Sequence, residues 1–181
     1  WAAHRLREVL ADFRPDVVHV KIHLTQLSPL ILPVLRDVPA VYSVADYRPI
    51  CPTSTRWLPR GGVCHERVGT ACYREGCLPL RDWGPIMAQM RLWRRWHGAF
   101  DRICVSSEWM RQRIEAEGIR VDLVIPNGVP ERPQRPPLHG PPTVAFAGRL
   151  VATKGVDVLL EALARVRTAL PEAGLLVAGD G

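Results

Sequence analysis

The stretch at residues 143–163 constrains the fold of this chain more than any other. A run of small and β-branched residues, TVAFA at 143–147, predicts a strand, and Gly148 follows it directly. After a short loop, apolar residues recur at helical spacing, at Val156, Leu159, Leu160 and Leu163. The pattern predicts a strand, a glycine turn and a helix, a junction that favours the binding of an anion.

Two cationic residues, Arg149 and Lys154, lie in the loop between this strand and this helix. The N–H groups of a helix's first turn have no partner within the helix, and the helix dipole adds a partial positive charge there. Together with the two side-chain charges, this end of the helix suits a diphosphate. The alternative is an ordinary βα unit whose loop carries two solvated cations.

The same residues carry a resemblance to a known family. The run FAGRL, three further residues and then KGVDVLLEAL resembles the opening of the nucleotide-binding domain of the retaining glycosyltransferases of family four, which have the GT-B fold. The resemblance implies that Arg149 and Lys154 hold the diphosphate of a sugar nucleotide and neutralise the charge that grows as it departs. It implies that Gly148 lets the backbone approach the phosphates and that Gly155 opens the helix. It also implies that no metal is required at this step.

A second resemblance concerns the acceptor side. The predicted strand at 40–44 runs into VYSVADYRPICP, which is similar to a loop in which the family usually has a histidine directly before an aspartate. Here Ala45 replaces that histidine, and an alanine can neither donate a hydrogen bond nor take up a proton. Asp46 matches the aspartate and is the candidate residue for orienting an acceptor hydroxyl. The alternative for Asp46 is a turn residue after a strand.

Strands alternate with helices on both sides of a proline-rich segment, which predicts an α/β fold with two Rossmann-like parallel-sheet domains, as in GT-B. We assign residues 1–129 to an acceptor-side domain, 130–142 to a stiff linker and 143–181 to the start of a nucleotide-sugar-binding domain. VIPNGV, at the end of the first domain, resembles the family's signature at the crossover between its domains. We expect both domains to be incomplete and this piece to lack turnover, whereas its full-length parent is an enzyme.

Hydrophobic periodicity predicts the other elements of the chain. The helices are expected at 1–13, 25–35 and 83–100 and after Ser106 or Ser107, and the strands at 16–20, 102–105, 121–125 and 175–178. His19 and His23 flank the end of the first strand, where open α/β sheets place their ligands, although a histidine satisfied by backbone groups is the favoured interpretation.

The loop at 47–82 contains four of the five cysteines, and its prolines and glycines exclude a long helix. Cys51, Cys64, Cys72 and Cys77 could bind a structural zinc ion as four thiolates, or with His65 in place of one of them. Disulfides and free thiols are the alternatives, since the spacing contains no CxxC pair and a reducing compartment disfavours disulfides.

A net charge of +6 suits an anionic partner. The predicted helix at 83–100 combines arginines with tryptophans, which is typical either of a peripheral membrane contact or of a packed helix with a solvated cationic side. No nucleic-acid motif accompanies the charge, so we expect no nucleic-acid partner. The absence of a long apolar run or a signal-peptide core predicts a cytoplasmic protein. Peripheral contact with the inner face of the membrane is compatible with this location.

These features together predict a glycosyltransferase that moves a sugar from a nucleotide-diphosphate donor to a glycan or lipid-linked acceptor with retention of configuration. No cofactor is expected for catalysis, apart from the structural zinc considered above. A catalytically silent nucleotide-sugar-binding protein and a zinc-stapled interaction module are the alternatives.

Overall fold

The computed structural model of the chain describes residues 1–134 and 139–181. It divides into two compact units, Trp1–Val129 (unit 1) and Pro130–Gly181 (unit 2). Residues 135–138 of the predicted linker lie outside the described residues.

Unit 1 is built on a four-stranded parallel sheet. Its strands, in the order in which they lie side by side, are β1 (Val18–Lys21), β2 (Ala40–Val44), β3 (Arg102–Val105) and β4 (Leu123–Val124). In the register, Tyr42 of β2 lies opposite Val20 on one side and Ile103 on the other. The predicted bounds of β2 and β3 are confirmed. β1 begins two residues later than predicted, because pairing starts only where the Val18 N–H donates to the Pro39 carbonyl. β4 is shorter than predicted at both ends, although the Asp122 and Ile125 N–H groups still donate to the Ile103 and Val105 carbonyls.

Helices pack around this sheet. They are α1 (Ala2–Phe13), α2 (His23–Gln26), α3 (Ala71–Arg74), α4 (Leu80–Trp96) and α5 (Glu108–Glu115), with 3₁₀ helices at Pro29–Asp37 and His97–Ala99. In the described part of the chain, no helix is both long and apolar enough to cross a bilayer.

The helix predicted at 25–35 is wrong in type and continuity. The chain instead forms the short α2, breaks, and continues as the 3₁₀ helix at Pro29–Asp37. The Ser28 hydroxyl accepts a hydrogen bond from the Leu30 N–H and so begins a new helix, while Pro33 lacks the N–H that an α-helical ladder needs at that point. α4, by contrast, is confirmed, but it begins at Leu80, three residues before the predicted start, directly after the extended Pro79.

The core of unit 1 centres on Trp93 of α4, which is fully buried. Its indole N–H donates to the Pro49 carbonyl at 3.0 Å, and this bond ties the loop after β2 to α4. The rings of Tyr42 and Phe100 lie 5.5 Å and 6.3 Å from the Trp93 ring, centroid to centroid. Aromatic pairs at these separations add to the stabilisation from burial.

Unit 2 contains a parallel pair of strands joined through a helix. The elements are β5 (Thr143–Ala147), a 3₁₀ turn (Ala152–Lys154), α6 (Val156–Ala169) and β6 (Gly174–Ala178). The predicted strand, glycine turn, helix and second strand are therefore confirmed. A parallel pair requires a crossover of this kind, which places the carboxyl ends of both strands at one edge.

Candidate functional site

The segment that follows β5 is positioned by backbone hydrogen bonds to the segment that follows β6. The Gly148 N–H donates to the Ala178 carbonyl and the Leu150 N–H donates to the Asp180 carbonyl, both at 2.9 Å. Gly148 has a φ of 157°, a region that side chains rarely adopt. The chain thus leaves the strand with a fixed direction, and Arg149 lies at a defined place at this edge of the pair.

The first turn of α6 is open to a ligand. Gly155 begins the helix in the left-handed conformation, with φ 67° and ψ 31°, and no side chain among the described residues caps this end. The contrast is α5, where the Ser107 hydroxyl accepts a hydrogen bond from the Met110 N–H at 3.2 Å. The N–H groups of Val156, Asp157 and Val158 therefore remain available as donors.

Arg149 and Lys154 both precede this turn along the chain, in the segment that joins β5 to α6, and both are exposed. Within residues 1–134 and 139–181, neither cation forms an ion pair. The one acidic side chain in the first turn of α6, Asp157, makes no capping hydrogen bond. Chemically, the segment offers an anion uncapped N–H donors and two exposed cations.

Asp46, the candidate on the acceptor side, is engaged in a local turn. Its Oδ1 accepts a hydrogen bond from the Arg48 N–H at 2.9 Å, and the Arg48 guanidinium donates to the Pro52 carbonyl. Burial, together with the negative charge of Asp46, raises the pKa of Tyr42. The geometry matches the turn interpretation of Asp46 and leaves only its second oxygen for an acceptor.

A cavity of about 320 Å³ opens at the carboxyl ends of the four strands of unit 1. Ala45 lines this cavity, as do His19 and Ser43, whose Nε2 and Oγ atoms are 2.7 Å apart. Asn127 and Gly128 of the VIPNGV segment complete its rim. Sequence reasoning missed Ser43, although the period-two alternation of β2 gave the signal, since Ser43 lies on the opposite face from the buried Tyr42 and Val44.

His23 has a different place from His19. It is 2% exposed, its ring lies 4.9 Å from the Tyr42 ring, and neither ring nitrogen has a hydrogen-bond partner among the described residues. The expectation that backbone groups satisfy this histidine is therefore wrong. Burial lowers the pKa of His23 to about 4, so its ring is neutral at physiological pH.

The loop between β2 and α4 brings its four cysteines around one small cavity. Cys51, Cys64, Cys72 and Cys77 all line it, and all are free thiols, whereas His65 is exposed and does not line it. Burial raises the pKa of Cys72 and of Cys77, and the neighbouring thiols raise both further. In the part of the chain that the structure describes, no three His, Cys, Asp or Glu side chains already stand at the spacing of a metal site.

The aromatic residues of α4 are used in packing. Met90 and Trp93 are buried, and the Trp83 indole N–H donates to the Gly69 carbonyl at 2.9 Å. Arg91 and Arg95 are exposed, and Arg94 pairs with Glu117 at 3.3 Å. This arrangement favours the packed helix with a solvated cationic side.

The fold and the site define a class of protein, because parallel-strand α/β sheets joined by βα junctions are typical of Rossmann-like GT-B enzymes. The sequence model of the glycosyl transferase 4-like domain matches residues 2–128, and that of glycosyl transferases group 1 matches residues 130–181. A search of curated proteins gave no significant match. The first domain match covers more than half of the chain, which therefore belongs to this family of glycosyltransferases. Its function is glycosyl transfer, with a sugar donor and an acceptor as its general partners.

Proposed function

We propose that the donor is a nucleotide-diphosphate sugar and that its diphosphate binds at residues 148–158 of unit 2. The observation that carries the proposal is the uncapped first turn of α6, with Arg149 and Lys154 in the segment that leads into it and neither cation paired among the described residues. A helix of this length with a free first turn attracts an anion. The assignment of the group 1 glycosyltransferase domain to residues 130–181 supports the same site.

The two cations act most strongly late in the reaction. Negative charge grows on the diphosphate as the bond to the sugar breaks, so a fixed positive environment stabilises the transition state more than the ground state. Arg149 is suited to two phosphate oxygens at once through its planar guanidinium, whereas Lys154 acts as a point charge. No metal ion is needed for this role, because the charges are supplied by the protein.

The acceptor is assigned to unit 1. The cavity at the strand ends presents the His19 and Ser43 pair, and these polar groups are suited to hydroxyls of a glycan or of a lipid-linked sugar. Asp46 follows Ala45 of the cavity lining directly but does not itself line the cavity. The reaction proposed is transfer with retention of the anomeric configuration, in glycan biosynthesis. A peripheral contact with the membrane and a cytoplasmic location stay predictions.

A second candidate function is a catalytically silent nucleotide-sugar binder. It is favoured by Ala45, which offers no proton-transfer group beside the acceptor cavity, and by the turn that engages Asp46. The discriminating measurement is sugar transfer by the full-length protein, because this piece is expected to lack turnover in either case. Donor binding by the full-length protein without sugar transfer supports this candidate, and restoration of transfer by Ala45→His supports it further. Transfer by the unaltered full-length protein contradicts it, and comparison of the anomeric configuration of product and donor then tests retention.

Protection against heat tests donor binding. A nucleoside diphosphate at about 100 times its Kd is expected to stabilise the folded chain by roughly 2.7 kcal/mol. The double variant R149A/K154A is expected to lose this protection. The matched control R132A/R165A removes two exposed positive charges from the same unit and is expected to keep it. Equal loss in both double variants, or protection retained in R149A/K154A, contradicts the proposal.

A further inference from the structure

Four cysteine side chains line one small cavity in the loop at 47–82. Cys51, Cys64, Cys72 and Cys77 line it, although they are separated by up to 26 positions in the sequence and belong to different local turns. The loop has little regular structure, since it contains only the short helix α3 and an isolated bridge between Trp57 and Val63. The convergence of all four thiols of this loop on one cavity therefore calls for a physical cause other than a helix or a sheet.

The size and lining of the cavity fit one small guest. The cavity has room of about 20 Å³, which is sufficient for a single water-sized or ion-sized body. Besides the four cysteines, the lining combines apolar side chains with the charged side chains of Arg56, Glu66 and Glu75. The volume is too small for an organic ligand and sufficient for a single ion.

We propose that these four cysteines bind one structural zinc ion. Four thiolates are a common tetrahedral ligand set for zinc, which also prefers thiolate sulfur to the oxygen ligands that calcium and magnesium select. Zinc binding releases the four thiol protons to solvent and leaves a complex with a net charge of two minus. The side chains turn their sulfur atoms into the cavity as they bind the ion.

The surroundings fit this charge. Arg56 lines the cavity with only 11% of its side chain exposed, and its guanidinium lies 3.7 Å from the buried Glu117 carboxylate, so its positive charge is shared between that carboxylate and the complex. Its guanidinium also donates to the Glu66 carbonyl at 2.8 Å, so it is held beside the thiols. The Glu75 carboxylate also lines the cavity, where its Oε2 lies 2.9 Å from the Arg60 guanidinium but forms no hydrogen bond within the described residues.

The zinc site would act on the loop and not on the chemistry. Cys51 follows Ile50, which is fully buried in the core, while the loop begins beside Asp46 at the end of β2. A metal crosslink at this place holds the acceptor-side loop against the core and shortens the effective length of the unstructured chain. The proposal goes beyond donor binding. It is independent of the nucleotide site of unit 2, so failure of either proposal leaves the other unaffected.

The test is the metal content of the chain, purified without reducing agent or chelator and measured by elemental analysis. We expect about one zinc per chain. Cys72→Ala should lose the metal, Cys72→His should retain it because imidazole is also a zinc ligand, and Cys104→Ala should retain it because Cys104 lies in β3 and does not line the cavity. Zinc on fewer than roughly a tenth of the chains, or zinc kept by Cys72→Ala, overturns the proposal.

A second measurement covers the case in which Cys72→Ala does not fold. Cobalt(II) added in place of zinc to the unaltered chain should give the intense visible and sulfur-to-cobalt bands of tetrahedral thiolate coordination. Absence of these bands overturns the proposal. A mass lower by the hydrogens of two disulfides, measured in the purified chain, also overturns it, since the thiols would then be joined to each other.

Discussion

Gly179 lies against the backbone of Gly148, so closely that a Cβ atom on Gly179 would overlap the Gly148 carbonyl oxygen. Gly179 also has a φ of 147°, in the region that side chains rarely adopt. The contact holds the end of β6 against the segment that carries Arg149. Both glycines are therefore needed for the geometry of the proposed diphosphate site.

The first prediction concerns this contact. Gly179→Ala is expected to destabilise unit 2 by at least about 1–3 kcal/mol, because neither the backbone strain nor the overlap with backbone atoms can be relieved by a side-chain movement. Gly174→Ala is the matched control at the other end of β6, since its Cβ would meet only the Thr143 side chain at an ordinary 3.6 Å. Denaturant unfolding of the two variants measures the difference, and equal losses would show that the contact is not tight.

The second prediction concerns pH. The pKa of His23 falls from 6.5 to about 4 on folding, so between these values the unfolded chain binds a proton that the folded chain does not. The free energy of unfolding therefore falls as the pH falls through this window, by up to about 3 kcal/mol at roughly 1.4 kcal/mol per pH unit.

His23→Phe removes this contribution while keeping a ring among the aromatic side chains, and is expected to flatten the curve between pH 6.5 and 4 relative to the unaltered chain. His19→Gln removes an exposed histidine, keeps His23 and should keep the slope. Unfolding by denaturant at several pH values gives the comparison. A slope that survives in His23→Phe would assign the acid sensitivity to other groups.

The third prediction separates the two roles of Asp46. Asp46→Asn keeps an oxygen that can accept the Arg48 N–H, whereas Asp46→Ala leaves that N–H without its partner. We expect Asp46→Ala to cost about 1 kcal/mol of stability and Asp46→Asn to cost much less. Thermal unfolding distinguishes them, and an equally large loss in Asp46→Asn would show that the negative charge, and not the turn, matters at this position.

Much of this architecture follows from the sequence, because strands and helices in an α/β protein leave strong periodic signals. β2, β3, β5 and α6 were predictable since their apolar residues recur with a period that only one element satisfies. The break at Ser28 was not predictable, because the apolar run around it also suits one long helix. The Ser28 hydroxyl begins a new helix there instead.

The site was predictable only in part, for a related reason. Arg149 and Lys154 are adjacent to the motif that predicts their role, so local sequence was sufficient to name them. The contact of Gly179 with Gly148, the pairing of His19 with Ser43 and the shared cavity of the cysteines depend on how distant segments pack. No local pattern encodes such contacts, and an irregular loop offers no period from which to infer them.

The central claim is that a diphosphate binds at the first turn of α6, and nuclear magnetic resonance tests its location directly. On titration of the isotopically labelled chain with inorganic pyrophosphate, we expect the largest backbone amide shifts at Val156, Asp157 and Val158, with smaller shifts around Arg149. The R149A/K154A variant should lose these shifts. Shifts that are largest in unit 1, or the absence of any saturable shift, would contradict the account.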